Sequence, residues 1–410
     1  MWHRLMTLAG ASAALLVACQ YVIGLHEPEG ALRPPPPLDG GPDAPDLCAH
    51  ALPPRPPEKD DDPKTVEPPF WLAVDHVDVT NDGGTRPGLD LDGVCTCFEG
   101  KTAFGGAGSC KPRAAAGTPC DGDGGVDNAF GGVLKPFASI ADINERIAVN
   151  KYIELGRSGV LLQISGYNGK ANDKELSVAM VVAKGLLSDI GCDGGTRGRQ
   201  PSEEGGVTYS PVWDGCDQWA ADDSAVLRDV VNRQVIGLAV APGYVVDGYL
   251  VVANDTAAGG RSSLPFVFGG KLVPVLVPAF VGKLVRDEGD GGGPRFRLED
   301  VLVTGRMSVT TALGIVGLFK VPGDEAKRFC ESPAFFDVAR RNICNAADTM
   351  TNRSLDNLPD SVCDALSLSL HMSARPATVD VYGNDGGALI GQGCEDAGPI
   401  RPADELCRDL

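Results

Sequence analysis

The chain has 410 residues and 43% hydrophobic residues, enough to build a globular core, and a formal net charge of −19 at neutral pH. Nucleic acids and anionic lipid surfaces are bound through clustered Lys and Arg, so this charge argues against both as partners, whereas divalent cations remain compatible with it. Thirteen cysteines point to an oxidising compartment, because disulfides persist there.

The first residues have the form of a secretory signal peptide. Residues 1–4 supply a short positive region, and Leu5 to Val17 is an apolar stretch too short to span a bilayer as a helix. The stretch closes with Leu16-Val17-Ala18-Cys19, which resembles the lipobox of bacterial lipoproteins. That resemblance implies that residues 1–18 are removed and that the Cys19 thiol carries lipid, which anchors the chain to a membrane of the cell envelope.

Gln20 follows the cysteine at the position where an Asp favours inner-membrane retention, so the resemblance leans towards the outer membrane. Ordinary secretion with cleavage near Ala18 is the alternative.

Residues 19–69 form a Pro-rich tether, since nearly half of all prolines fall between Glu27 and Pro69. Such a segment favours extended polyproline II and holds the folded part away from the membrane. A disordered spacer is the alternative.

The cysteines left after Cys19 fall into three groups along the chain. The early group has five members and the late group has five, with two between them: Cys48, Cys95, Cys97, Cys110 and Cys120; Cys192 and Cys216; Cys330, Cys344, Cys363, Cys394 and Cys407. If Cys192 pairs with Cys216, both outer groups are odd, so at least one disulfide must join the early group to the late group. We therefore predict that the two ends of the folded part form one physical unit.

Short strand-like segments separated by Gly, Asp and Asn dominate residues 70–305. The predicted strands are Val160–Ser165, Leu176–Val182, Pro265–Phe268, Leu272–Val285 and Arg295–Val303. Within Tyr244–Val252, Asp247-Gly248 predicts a hairpin, because a type I′ turn needs a positive φ at both central residues.

Helical periodicity appears at Ile140–Leu155 and in the Cys-rich part, residues 306–410. The latter contains predicted helices at Met307–Phe319, Asp324–Cys330 and Phe335–Ala347 and a returning strand at Leu366–Met372. Strands and helices do not alternate, so the fold class is mainly β or α+β. We predict an antiparallel, sandwich-like domain with a disulfide-tied helical cap in the same unit.

The sharpest chemical signal is the loop Asp121-Gly122-Asp123-Gly124-Gly125-Val126-Asp127-Asn128. Carboxylates separated by glycines can turn several oxygens onto one point, and Ca²⁺ requires six to eight oxygen ligands. The loop resembles the calcium loops of thrombospondin type 3 repeats, which implies Asp121, Asp123, Asp127 and Asn128 as ligands. It departs from an EF-hand, which has a bidentate Glu where Gly132 stands, so distant residues would have to complete the site.

Candidates for completing the calcium site are Asp90 and Asp92 in one loop and Asn172 and Asp173 in another. Each loop also has a simpler interpretation, since Asp, Asn and Gly form turns whose side chains bond their own backbone.

Aromatic residues near these loops suggest a polysaccharide-binding face. Flat rings stack on sugars while Asn and Asp bond hydroxyls, which makes Trp213, Asp214, Asp217, Trp219, Tyr167 and Asn168 the candidate ligand-binding residues. A place in the protein core is the alternative for the tryptophans.

Catalytic signatures are missing from the sequence. It contains no Gly-x-Ser-x-Gly elbow, His-Glu-x-x-His helix, P-loop or dinucleotide fingerprint. His76 alternates with apolar residues and is typical of an exposed strand position. Paired carboxylates of a glycan-active hydrolase are the enzymatic alternative, because any two Asp residues can meet in space.

The lipobox, the Pro-rich tether, the Asp-Gly-rich loop and Trp213-Asp214-Gly215-Cys216-Asp217 together resemble the large surface lipoproteins of myxobacteria. The resemblance implies a location more than an activity. We therefore expect an envelope-anchored, calcium-stabilised binding or structural module, with envelope or extracellular polysaccharide as a candidate partner.

Overall fold

The computed structural model describes residues 50–78, 88–96, 104–106, 108–113, 118–122, 124–138, 149–157, 159–187, 192, 199–201, 207–223, 225–229, 234–237, 240–253, 263–268, 271–287, 295–321, 324–358, 360–382 and 403–407. All of them belong to one unit, Leu47–Leu410. The predicted signal peptide, Cys19, the first part of the tether, Asp123 and Cys97 lie outside the described residues.

Strands account for most of the regular structure. They are β1 (Phe70–Asp78), β2 (Phe104–Gly106), β3 (Thr118–Pro119), β4 (Gly159–Ser165), β5 (Asp173–Leu186), β6 (Arg199–Pro201), β7 (Val207–Tyr209), β8 (Gln218–Asp222), β9 (Val226–Asp229), β10 (Gln234–Gly237), β11 (Val240–Val246), β12 (Tyr249–Ala253), β13 (Ser263–Phe268), β14 (Lys271–Asp287), β15 (Arg295–Ser308), β16 (Lys320–Val321), β17 (Asp324–Arg328) and β18 (Ala365–Tyr382).

Eight of the strands form a sheet that closes on itself. Their order is β1-β4-β5-β11-β12-β14-β15-β18, and β18 pairs back with β1. Every pairing in this ring is antiparallel. The predicted mainly β, antiparallel class is confirmed, and the two layers expected of a sandwich are the opposite walls of one closed sheet.

Two hydrophobic cores use opposite faces of the same strands. Along β1, Leu72 belongs to the main core and its neighbour Trp71 to a second core. The second core also contains Trp219 of β8, which pairs with β5 and, in parallel, with β18. Burial on both faces explains the continuous apolar run Val178–Ala183, because an alternating pattern would leave one face polar.

The helices are α1 (Ala129–Ala138), α2 (Val149–Glu154), α3 (Val309–Gly317), α4 (Pro333–Asn345) and α5 (Ala403–Leu406). The helices predicted at Met307–Phe319 and Phe335–Ala347 are confirmed as α3 and α4. Only 149–154 of the predicted Ile140–Leu155 helix is described as helix, and 139–148 lie outside the described residues. Among the described residues, no helix has the length and apolar character needed to cross a bilayer.

The helix predicted at Asp324–Cys330 is wrong. Residues 324–328 form β17, which pairs with β16, and a 3-10 turn follows at Phe329–Glu331. The sequence between the two strands is Pro322-Gly323, which is typical of a turn and favours a hairpin over a continuing helix.

The predicted hairpin at Tyr244–Val252 is confirmed. Strands β11 and β12 pair up to Val246 and Tyr249, and the two residues between them have positive φ angles, 50° at Asp247 and 81° at Gly248. This is the geometry that a type I′ turn requires.

The predicted Cys192–Cys216 disulfide is present. Cys110 is bonded to Cys363, so an early cysteine is joined to a late one, as the count of cysteines requires. Cys344 is bonded to Cys407, and Cys95, Cys120 and Cys330 are also disulfide-bonded. The two ends of the folded part therefore form one covalently linked unit.

The folded part begins earlier than the predicted boundary at Phe70. Residues 50–69, which we call the strap, contact the rest of the domain by hydrogen bonds from Ala51 N–H to Gly124 O, from Asp61 N–H to Asn172 O and from Glu67 N–H to Tyr167 O. This corrects the assignment of the whole Pro-rich segment to a free tether. Composition alone does not reveal these backbone hydrogen bonds, because their partners lie in the folded domain.

Candidate metal centre

Two loops rich in Asp lie on the outer face of β15 and β18. One is residues 88–96 and the other residues 119–128. Ser369 Oγ of β18 donates to Asp127 O at 3.2 Å, and Arg306 Nη2 of β15 donates to Leu91 O at 2.7 Å. Their strand neighbours Leu368 and Met307 belong to the main core, so the loops cover the face opposite to it.

The loop Asp121–Asn128 is a narrow hairpin. Gly122 N–H donates to Val126 O at 2.8 Å, and the turn between them contains Gly124 and Gly125 with φ angles of 75° and 72°. Residues that carry a side chain rarely adopt this backbone conformation, so the glycines permit the turn. The turn brings Asp121 and Asp127 together at the open end of the hairpin, close enough for their carboxyls to interact as hydrogen-bond partners.

Asp90, Asp92 and Asp127 form the centre of the site. One carboxylate oxygen from each lies within 4.8 Å of the others. Two oxygens on opposite sides of a calcium ion, each about 2.4 Å from it, are about 4.8 Å apart. The spacing therefore fits a calcium ion between the carboxylates, and a ligand set made only of oxygen suits a hard cation.

The same loops hold the carboxylates by backbone N–H groups. Leu91 N–H donates to Asp127 Oδ2 at 2.7 Å, Gly93 N–H to Asp90 Oδ1 at 2.7 Å, and Val94 N–H to Asp92 Oδ1 at 2.8 Å. Asp121 and Thr96 bond each other reciprocally, because Thr96 N–H donates to Asp121 Oδ2 and Asp121 N–H donates to Thr96 Oγ1. The oxygens that face the centre are thus oriented before any ligand arrives.

Asp348 is a member of the site that the sequence did not reveal. It is buried, and it accepts hydrogen bonds from the N–H and the hydroxyl of Ser367 on β18. Its charge acts on Asp92, Asp121 and Asp127. No local pattern surrounds Asp348 in the sequence, and only the pairing of β15 with β18 brings its neighbourhood to the loops. We call Asp90, Asp92, Asp121, Asp127 and Asp348 the acidic site.

The electrostatics of the acidic site are unfavourable without a cation. Burial, reinforced by the neighbouring carboxylates, raises the pKa of Asp121 to about 6 and that of Asp348 to about 7. Burial and the charges of Asp92, Asp348 and Asp121 raise the pKa of Asp127 well above its usual range, and burial raises the pKa of Asp92. Like charges in a low-dielectric site disfavour ionisation of one another, which a divalent cation reverses.

Two basic side chains stand beside the acidic site. The His50 Nδ1 atom contacts the Asp90 carboxylate at the start of the strap. Arg306 is fully buried and its charge only partly offsets the burial that raises the pKa of Asp92, since its guanidinium is already bound bidentately to Asp356. The acidic site therefore keeps an excess of carboxylate over cationic side chains among the described residues.

Asn128, which the loop resemblance implied as a ligand, has a structural role instead. Its Oδ1 atom accepts from Gly131 N–H at 3.1 Å and from Ser369 N–H at 3.3 Å. It thus caps the N-terminus of α1 and ties the helix to β18. This capping explains why residues 129–138 form a helix although the sequence contains Gly131, Gly132 and Pro136.

Asn172 and Asp173 are also bound elsewhere. Asn172 N–H donates to the Asp61 carboxylate of the strap at 2.9 Å, and Asp173 Oδ2 accepts from Asn168 N–H at 2.6 Å. Tyr167 is buried and its hydroxyl donates to Lys170 O. These residues form the turn between β4 and β5 and hold the strap, as the simpler interpretation of the loop stated, and they are not among the three residues whose oxygens converge.

The predicted polysaccharide-binding face requires a correction. Trp219 and Asp217 are completely buried, and the Asp217 carboxylate accepts from Val212 N–H and Trp213 N–H. Trp213, half-buried, packs its ring 5.9 Å from that of Trp219. The ring of Trp219 fills the second core, so it presents no flat surface to a sugar. Asp214 bonds the N–H groups of Cys192 and Cys216 and supports their disulfide.

A glycoside-hydrolase arrangement does not match the acidic site. Such enzymes hold two carboxyl groups about 5–9.5 Å apart on either side of the bond that is cleaved. The oxygens of Asp90, Asp92 and Asp127 are closer than that, and Asp90 and Asp127 are 7% and 4% exposed.

Comparison of this chain with protein-family models, with curated proteins and with solved structures finds no match.

Proposed function

We propose that this chain is an envelope lipoprotein, anchored through lipid on Cys19, whose folded part is a structural module stabilised by calcium at Asp90, Asp92, Asp121 and Asp127. When bound, the ion supplies positive charge that balances the buried carboxylates. The domain then serves as a rigid, disulfide-linked body carried outside the membrane.

One observation carries the calcium assignment. Three carboxylate oxygens from two loops lie within 4.8 Å of one another in a largely buried setting. Structural carboxylates are usually paired with a cation or protonated when buried, because an isolated buried charge is costly. Oxygens no more than 4.8 Å apart are compatible with a calcium coordination shell, in which opposite ligands are about 4.8 Å apart.

The envelope location is supported by the sequence. The apolar stretch and the lipobox-like Leu16-Val17-Ala18-Cys19 stand at the start of the chain. Disulfides such as Cys110–Cys363 agree with an oxidising compartment. Lipid attachment is tested by metabolic labelling with a clickable fatty acid. The chain should incorporate the label, and Cys19→Ser should abolish it; equal labelling of both would refute the anchor.

The metal assignment is tested on the detergent-extracted protein by calorimetric titration with Ca²⁺ after removal of divalent ions. We expect one saturable binding event that Asp92→Asn weakens at least about tenfold, since a ligand charge is lost. Asp337→Asn is the matched control, because Asp337 lies on the exposed face of α4. Absence of binding to the unsubstituted chain would refute the proposal. Weak binding that both variants share would place calcium outside the acidic site.

A further inference from the structure

The strap is held to the domain by a small set of contacts. Its twenty residues are each half-buried or exposed. Backbone bonds hold it at Ala51, Asp61 and Glu67. Side-chain contacts add Asp60 Oδ1, which accepts from Lys174 N–H, Pro54 O, which accepts from the Tyr244 hydroxyl, the Asp61 carboxylate, which accepts from Asn172, and Glu67, which lies 3.9 Å from Arg286. A segment with exposed bonds and little buried apolar surface opens locally at a low free-energy cost.

The start of the strap is built into the acidic site. Ala51 N–H donates to Gly124 O at 2.8 Å, and Ala51 O accepts from Asp90 N–H at 2.9 Å. A single strap residue therefore joins the loop that carries Asp90 and Asp92 to the hairpin that carries Asp121 and Asp127. His50 adds its side-chain contact with Asp90. Anything that fixes the two loops relative to each other also fixes the position at which Ala51 binds.

A separate observation points to a cation in this position. Ser109 is 1% exposed, and among the described residues its buried hydroxyl has no hydrogen-bond partner of normal geometry. It lies close enough to the Asp92 carboxylate to favour the ionised form of that group. Buried hydroxyls are nearly always bonded, so the Ser109 oxygen beside the converging carboxylates points to a cation as a further partner.

We infer that the metal site is a latch for the strap: a cation bound by Asp90, Asp92 and Asp127 fastens residues 50–69 to the domain, and its loss releases them. This inference rests on the proposed calcium site and adds what the ion controls. The strap stands between the lipid-bearing N-terminus and β1, so its release lengthens the linker. Twenty residues in an extended polyproline-like conformation span about 60 Å.

The latch makes the strap the part of the chain that responds first to calcium. Its three backbone donors, the N–H groups of Ala51, Asp61 and Glu67, report directly on attachment. If opening requires loss of the ion, calcium at about a hundred times its Kd suppresses opening about a hundredfold. The strands of the closed sheet do not contain the ligands, so their amides serve as an internal reference.

The experiment is hydrogen–deuterium exchange on the detergent-extracted full chain, with Ca²⁺ and with excess chelator, alongside calorimetric titration of Ca²⁺. We expect the peptide covering 50–69 to exchange about a hundredfold faster in chelator, whereas amides of β14 and β15 that exchange by local fluctuation stay unchanged. Asp92→Asn should exchange rapidly in both conditions and Asp337→Asn should behave like the parent chain. Ala51→Pro removes the N–H bonded to Gly124, so it should bind Ca²⁺ while leaving residue 51 and its neighbours unprotected.

The outcomes separate the two proposals. Calcium binding with strap exchange that is the same in both conditions overturns the latch and leaves the calcium site standing. No calcium binding overturns both. Acceleration in chelator that is confined to the sheet also overturns the latch, since it would mean that calcium opposes global unfolding and does not hold the strap.

Discussion

Arg306 holds Asp356 in a bidentate ion pair in which the arginine side chain is completely buried. Nη1 donates to Asp356 Oδ1 at 2.9 Å and Nη2 to Oδ2 at 2.6 Å. The same guanidinium donates to Met350 O and Leu91 O. One side chain from β15 therefore joins the loop after α4 to the loop that contains Asp90 and Asp92, and it fixes the floor of the acidic site.

We expect Asp356→Asn to destabilise the folded state by about 3–5 kcal/mol, because it leaves the buried Arg306 charge without its partner. Urea denaturation followed by circular dichroism measures the change. Asp324→Asn is the control, since its ion pair with Lys327 is exposed and should contribute less than about 1 kcal/mol. Similar losses of unfolding free energy in the two variants would show that the buried ion pair contributes no more to stability than the exposed one.

Substitution of Asp121 should have opposite effects with and without calcium. At pH 8 in chelator, Asp121→Asn removes a carboxylate whose pKa is raised to about 6 and should stabilise the domain by about 1–3 kcal/mol. In saturating calcium the same variant should be less stable than the parent chain, because a ligand is lost. Thermal midpoints in both buffers test this, and a change of the same sign in both would contradict the assignment of Asp121 to the metal.

The metal-free protein should lose stability as the pH rises from about 4 to about 7. The folded-state pKa values of Asp121 and Asp348, about 6 and about 7, lie above the ordinary value of 3.8, so in this range the folded state binds more protons than the unfolded state. The loss from Asp121 alone is about 2–3 kcal/mol, since each pH unit corresponds to about 1.4 kcal/mol. Calcium should remove most of this slope. Urea midpoints measured across the range, with chelator and with calcium, provide the comparison, and a metal-free stability that rises with pH would contradict the raised values.

Dithiothreitol without denaturant should reduce Cys192–Cys216 before the other two disulfides whose pairing is described. Cys192 is exposed, whereas Cys110 is 5% exposed and Cys363, Cys344 and Cys407 are also buried. A thiolate must reach the sulfur that it attacks, so access decides the order. Alkylation of the released thiols followed by peptide mapping gives the sequence of events. Earlier release of Cys344 or Cys363 would show that the core opens more easily than the structure implies.

Several features of the fold could be predicted from the sequence because they depend on local rules or on counting. The hairpin at Asp247-Gly248 follows from the backbone angles that a two-residue turn requires. The link between an early and a late cysteine follows from parity once Cys192 and Cys216 pair. The carboxylates of Asp90, Asp92 and Asp127 were identified by type and spacing, although the sequence could not separate them from Asn172 and Asp173, which carry the same turn signals.

Closure of the sheet, by contrast, was decided by the tertiary structure. The pairing of β18 with both β1 and β15 sets which residues face the loops, and it brings Ser367 and Asp348 beneath Asp121 and Asp127. It also buries Trp219 on the second face of β1, β4 and β5. The sequence around Trp219 cannot show this, because a buried tryptophan and a surface tryptophan can have the same local sequence. Composition, turn chemistry and cysteine parity are properties of the chain alone. Burial and the meeting of distant carboxylates depend on strand register, and register is settled only when the whole sheet is assembled.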